Sequence, residues 1–338
     1  MRSRIPGDRL LGCLSPRKRY VVLQRRVLCP TFASVGDQLT VPRETSVTIK
    51  ARRIGGFAYR YLMAEPRTGR VLSSFQHGLN VGFCEGSEAR TVTLHTPALP
   101  LHPWGVEVAG LVSAQQNTPV LIDSANLRLG DLSLRLDSAT VCDLIIKHYT
   151  QDEARRARSR WPALAEALPS LHAARRRDPL AHRIRALLAD WKRTDDVRSL
   201  ADLLGLGIGS TPAGDDVLVG LLAGLRALST VSTSAQTAVT SIREALGGEE
   251  LLARTTRASA QSIVAALDGA VVEPLRVMVQ HLGGNGLRRA TLDLDLQGVL
   301  RLGSTSGVSM LRGLDSALER PLPERRSRVD QRSPDPLV

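Results

Sequence analysis

Residues 203–228 read LLGLGIGSTPAGDDVLVGLLAGLRAL. A run of Gly, Ser, Thr and Pro ends in two adjacent aspartates, Asp215 and Asp216, and a strongly apolar segment follows. Leu218, Leu221, Leu222, Leu225 and Leu228 fall at helical spacing, and Gly220 and Gly224 permit close approach of a second helix. Thr211 before Pro212 suits an N-cap with proline at the first helical position; a start at Gly214 would put both aspartates in the first turn. Either start predicts a buried helix that opens on a glycine loop. Such an end offers unpaired backbone N–H groups and the positive end of a dipole. Gly207, Gly209, Ser210, Thr211 and Gly214 are therefore candidate ligand-binding residues, and Asp215 and Asp216 candidate catalytic residues.

The chemistry contains a tension: backbone N–H groups attract an anion, and two aspartates repel one. A cation such as Mg²⁺ held by Asp215 and Asp216 would reconcile them, because hard cations take oxygen ligands. A substrate NH₂ group donating to a carboxylate would do so too. Mg²⁺ is the one cofactor the sequence brings into view. Nucleotide binding by the familiar loops is disfavoured. Gly209 and Gly214 have Walker spacing but are followed by Asp215-Asp216, and Pro212 occupies the third glycine position of G-x-G-x-x-G.

Two further segments join the first. Gly214–Leu221 (GDDVLVGL) and Gly307–Leu314 (GVSMLRGL) share Gly, Leu, Gly and Leu at the same spacing, each after a Gly-Ser-Thr. This suggests an internal echo, and makes Ser304, Thr305, Ser306 and Gly307 a second candidate oxyanion loop. A helix over 249–268 would put Leu252, Thr256, Ser259, Ile263 and Leu267 on one face, with the Thr256 and Ser259 hydroxyls lining a site or bonding back to their own helix.

The remaining chain sets the frame. The 338 residues carry a formal net charge of +12, much of it in arginine runs at 154–160, 175–177 and 324–328. No aromatic interleaving or zinc-finger spacing accompanies them, so a solvated basic face is favoured over a nucleic-acid partner. Cys13, Cys29, Cys84 and Cys142 are widely spaced, as in a reduced cytoplasmic protein. The apolar helix at 217–228 is too short to cross a membrane. The seven histidines form no metal-ligand spacing.

The fold class is α+β. Residues 1–17 read as a disordered basic N-terminus. A mostly antiparallel β-rich domain over 18–148 follows, with strands in VVLQRRV (21–27), SVTIKARRI, TVTLHT, VEVAGLV and LSLRLDSATV. A helical domain over 149–321 carries the Gly/Asp-Asp site, and 322–338 form a disordered tail. Within the helical part, Trp161-Pro162 and Asp178-Pro179 read as breaks. Residues 285–291 read as a short helix, and Leu292–Gly303 as an extended turn.

The segment at 205–225 resembles the signature of the family that includes the AllH-type subunit of oxamate carbamoyltransferase. Gly205, Gly207, Gly209, Thr211, Pro212, Gly214, Asp215 and Asp216 fit its Gly-rich Thr-Pro-Ser-Gly-Asp-Asp string. The Thr256/Ser259 segment, 303–313, SSFQHGLNV at 73–81 and HPWGVEV at 102–108 are also similar. Ile208, Ser210 and Ala213 depart from the common loop, and Ser309 stands where the second segment usually has Asp. The resemblance implies a subunit acting with partner subunits in allantoin nitrogen catabolism, where oxalurate and phosphate give oxamate and carbamoyl phosphate. The implied ligand is a small anion: phosphate, carbamoyl phosphate or an oxamate-like acid. The alternative is a noncatalytic ligand-binding or scaffolding subunit whose partner does the chemistry.

Overall fold

The computed structural model describes residues 47–85, 88–110, 112–166, 178–246 and 253–320. The expected strand at 21–27, both termini, Leu252 and the arginines of 175–177 and 324–328 lie outside them.

Nine strands form one sheet: β1 (Val47–Gly55), β2 (Arg67–Phe75), β3 (Gly78–Glu85), β4 (Glu88–His95), β5 (Gly105–Val108), β6 (Pro119–Asp123), β7 (Asn126–Leu129), β8 (Leu132–Arg135) and β9 (Thr140–Cys142). Their order is β5-β4-β3-β2-β6-β7-β8-β1-β9, and β1 also pairs with β5. That last pairing closes eight strands into a barrel, leaving β9 alongside β1. Residues 47–50 of β1 run parallel to β8; further along, Ala51–Ile54 pair antiparallel with β5. The first half of β1 thus holds one barrel neighbour and the second half the other. Pairing is mostly antiparallel, as expected, with β1–β8, β1–β9 and β4–β5 parallel.

The barrel core alternates along the strands: Val120 and Ile122 of β6 point in while Pro119 and Asp123 face out. A short helix, α1 (Gly56–Ala64), interrupts the strand region the sequence predicts there. Its Ala58 and Leu62 are buried, and Tyr61 meets Phe83 and Trp104 edge-on, each at 5.8 Å. Nine residues are too few for a visible helical stripe beside β-rich neighbours.

The helical part comprises α2 (Gln151–Glu166), α3 (Pro179–Thr194), α4 (Val197–Ala201), α5 (Ala213–Leu228), α6 (Thr233–Leu246), α7 (Arg257–Leu267), α8 (Glu273–Gly283), α9 (Arg289–Leu300) and α10 (Ser306–Leu318). Asp178 caps α3, with Pro179 opening it, so that break falls where the sequence puts it. Pro162 instead lies inside α2, because burial of Trp161, Leu164 and Ala165 holds the helix past the lost hydrogen bond. The extended turn expected at Leu292–Gly303 is helix α9 to Leu300: the alternation of TLDLDLQ masks a stripe of Leu292, Leu296 and Val299, all buried.

Arginines of the 154–160 run serve the fold. Arg156 donates to the Gly283 carbonyl at 2.8 Å, and Arg160 to those of Leu282 and Gly284 at 2.9 and 2.6 Å. They cap the carbonyl end of α8, where the dipole favours cations. Among the described residues, no helix is long and apolar enough to cross a membrane.

The sheet and helices meet through Gln261 of α7. Its buried amide accepts from the Thr91 N–H at 2.9 Å and donates to the Thr91 carbonyl at 3.2 Å, standing in for a neighbouring strand on β4. Gln261→Leu would leave both backbone groups unpaired. We expect a loss of about 2–3 kcal/mol in urea unfolding, with the barrel's far-ultraviolet signal preserved in the folded baseline.

Candidate active site

α5 is buried along its whole length except at Arg226. Its main partner is α10, and the two lie parallel with their N-termini side by side. A Cβ on Gly220 would meet the Met310 carbonyl oxygen at 1.8 Å, and one on Gly313 the Val217 oxygen at 2.0 Å. These contacts are mutual under one offset, since 220 pairs with 313 and 217 with 310 in the sequence echo. Both first glycines donate back into their loops, over different spans: Gly214 N–H to Leu206 O and Gly307 N–H to Leu302 O, at 2.8 and 3.0 Å. The echo is therefore a spatial repeat of the two helices, joined by their glycines.

α5 starts at Ala213 with Asp215 and Asp216 in its first turn, as the second sequence alternative has it to within a residue, and Thr211 is not its cap. Pro212, with φ −52° and ψ 141°, is the N-cap residue of α5, and no side chain caps it. Thr211 instead shares a hydrogen bond with Ser306 across the two loops, at 3.1 Å. The helix expected from 249 is described from Arg257. Thr256 is not on its face but caps it, accepting from Ser259 N–H at 3.2 Å. Its hydroxyl also donates to the Ser210 carbonyl at 2.6 Å. A third helix N-terminus is thereby tied to the first loop.

The two aspartates, both buried, occupy different situations. Each oxygen of Asp215 has a donor: Gly205 N–H donates to Oδ1 at 2.8 Å and the Thr255 hydroxyl to Oδ2. Burial raises its pKa, while Thr255, Gly205 and Ser259 pull it back. Asp216 is 3% exposed, and its Oδ2 has no partner. Burial raises its pKa to about 7; the Ser306 hydroxyl opposes the shift and the neighbouring Asp215 adds to it. Gly205 and Thr255 are the residues sequence reasoning left out of the site. Thr255, next to Thr256 just before a helix, was the available signal.

The first loop is less open to ligand than its composition suggests, because the N–H groups of Gly205 and Gly214 are already used. Gly207 and Gly209, at φ 128° and 99°, carry the chain through a conformation that side chains resist. Around them Gly209 and Ser210 are exposed, and Ile208 at the tip is 93% exposed. In the second loop Ser304 and Thr305 are exposed, Ser306 is half-buried at the junction, and Gly307 is buried. Among the described residues no three His, Cys, Asp or Glu stand together to hold a metal, and each Asp215 oxygen already accepts one hydrogen bond.

Two other polar clusters stand apart. His95 and His102 stack at 6.0 Å, their pKa values lowered mainly by burial, His102 to about 3. The unpartnered His95 Nε2 abuts Gly105, where a Cβ would fall 2.9 Å away, leaving no room for a ligand. A cleft of about 410 Å³ bounded by Trp191, Asp195, Thr237 and Arg320 shares no residue with the Asp216 site.

No curated protein and no solved structure matches the chain. The resemblance carried by the first loop is borne out over the stretch that holds both loops, both aspartates and the paired helices: residues 203–318 match the family described as oxamate carbamoyltransferase subunit AllH.

Proposed function

We propose that this chain is a subunit of an oxamate carbamoyltransferase-like enzyme, and that it holds the phosphate end of the reaction where α5, α7 and α10 begin. The observation that carries this is the buried carboxyl of Asp216 at that junction, whose Oδ2 has no partner, within the stretch matched by the family. In the reaction, a phosphate oxygen attacks the carbamoyl carbon of oxalurate, and the bond from that carbon to nitrogen breaks. The departing nitrogen takes a proton and leaves as the amide of oxamate, while the carbamoyl group stays on phosphate. Asp216 is a buried acid suited to supply that proton, because its pKa of about 7 matches neutral operation. The loop N–H groups and the hydroxyls of Ser304, Thr305 and Ser306 would steady the oxyanions. Asp215 acts as a positioning residue, fixing Gly205 and Thr255. The setting is cytoplasmic nitrogen catabolism, with partner subunits.

One observation favours the second reading, a binding or scaffolding subunit. Ile208 stands almost fully exposed beside the site, as an apolar contact for a partner that completes it would.

Thermal unfolding of the full chain against phosphate, carbamoyl phosphate and oxamate tests the first reading. A ligand at about 100 times its Kd stabilises by about 2.7 kcal/mol. Asp215→Asn sets an amide NH₂ against one of the present donors. It is expected to lose the ligand shift and about 2 kcal/mol of stability while remaining folded. Absence of any shift in the isolated wild type, with a shift in the co-purified complex, would favour the second reading.

A further inference from the structure

Two helix N-termini meet at Asp216, and a third is tied to its neighbours Asp215 and Ser210. Asp216 lies in the first turn of α5 itself. α10 contributes Ser306, which acts on the carboxyl and bonds Thr211. α7 contributes Thr255 and Thr256, which hold Asp215 and the Ser210 carbonyl. Converging N-termini create a positive potential suited to an oxyanion. Asp215 meets part of it as a carboxylate with both oxygens paired. Asp216 presents a buried oxygen to which nothing donates. An ionised oxygen left this way is costly, whereas a protonated one is a donor waiting for an acceptor.

We infer that Asp216 binds ligand as the neutral acid. Its carboxyl O–H donates to a tetrahedral oxyanion, phosphate or a phosphate ester, seated between the loop 207–211 and the start of α10. An oxyanion that binds above pH 7, where the free carboxyl is ionised, therefore brings a proton into the site. This rests on the oxyanion reading above, and it resolves the conflict between attracting N–H groups and repelling aspartates without a cation. The groups acting on Asp216 agree with it. Burial and Asp215 favour the protonated form; Ser306 of α10 opposes them. The α7 groups Thr255 and Ser259 act on Asp215 instead. A bound dianion would hold the proton more tightly still.

Sulfate is the probe, because it stays a dianion from pH 6 to pH 9 while phosphate titrates. Calorimetry of the full chain in buffers of differing ionisation enthalpy gives both affinity and protons exchanged. Sulfate affinity is expected to fall about fifty-fold from pH 7 to pH 9, with uptake rising from about one half toward one proton per sulfate. Asp216→Asn carries a permanent neutral donor. It should bind sulfate within about threefold of the wild type at pH 6, with no pH dependence attributable to this site. Sulfate binding with no proton uptake, or loss of binding in a folded Asp216→Asn, overturns the inference and leaves the oxyanion site standing. If that variant does not fold, the wild-type proton count decides alone. No binding of sulfate or phosphate at any pH rejects the oxyanion site itself.

Discussion

Asp216→Asn should be more stable than the wild type at pH 8, by up to about 4 kcal/mol, and no more stable at pH 4. In the folded chain the Asp216 proton is held up to about pH 7, against 3.8 for an ordinary aspartate. Below pH 4 folded and unfolded chains are both protonated, and the carboxyl costs nothing. As pH rises from 4 to 7 the unfolded chain releases its proton and the folded chain does not, so stability falls. Above pH 7 both are ionised and the penalty is constant. Asparagine removes the penalty at nearly the same volume. The raised pKa of Asp215 gives a slope of the same sign in both proteins and cancels in the comparison. Urea unfolding of both chains at pH 4, 6 and 8 measures the divergence, and parallel curves would contradict the assignment. Turnover by the assembled enzyme should fall about 10²–10⁴-fold in the same variant, since the proton for the departing nitrogen is lost. Stability gained with activity lost is the pattern expected of a strained functional group.

The second large effect comes from the helix pair. Gly313→Ala places a methyl 2.0 Å from the Val217 oxygen and 2.5 Å from the Leu221 nitrogen; Gly220→Ala places one 1.8 Å from the Met310 oxygen. These obstacles are backbone, so no rotamer change relieves them and the helices must part. Each substitution should cost about 3 kcal/mol or more. The double variant should cost well under the sum, because helices already separated by one methyl accommodate the other. Gly298 of α9 supplies the control: its Cβ would lie 3.7 Å from Pro274, so Gly298→Ala should stabilise slightly, by about 0.5–1 kcal/mol. Additive losses at 220 and 313, or an equal loss at 298, would refute the account.

Much of this arrangement was legible in the residues. The α5 helix, its acidic first turn and its glycine face follow from periodicity and spacing, and the echo at 307–314 marked a second loop running into a helix, though not that the two helices pack together. The order of β before α was equally plain. Pairing across distance was not. Closure of the barrel by β1 and β5 joins residues more than fifty apart, and no local pattern encodes it. Thr256 looked like a face residue because Leu252, Ile263 and Leu267 share its spacing; capping depends on where the helix starts, which periodicity locates poorly. The unlike roles of Asp215 and Asp216 could not be read either, because they are adjacent and chemically identical. Gly205 and Thr255 separate them, and only the folded chain brings those donors to one carboxylate and not the other.

Parallel packing of α5 and α10 also dictates an order of events during synthesis. Two helices that begin together must end together, so the chain has to travel back through α6 to α9 before α10 can start. Thr211 accordingly waits for Ser306, ninety-five residues later. Until then a nascent chain carries α5 with one flank bare and Asp216 without the wall that encloses it. Contacts of such separation form late, and the exposed leucines are the surface on which unfinished chains associate. A chain stopped before α10 would therefore be recovered as aggregate, and the site does not exist until α10 does.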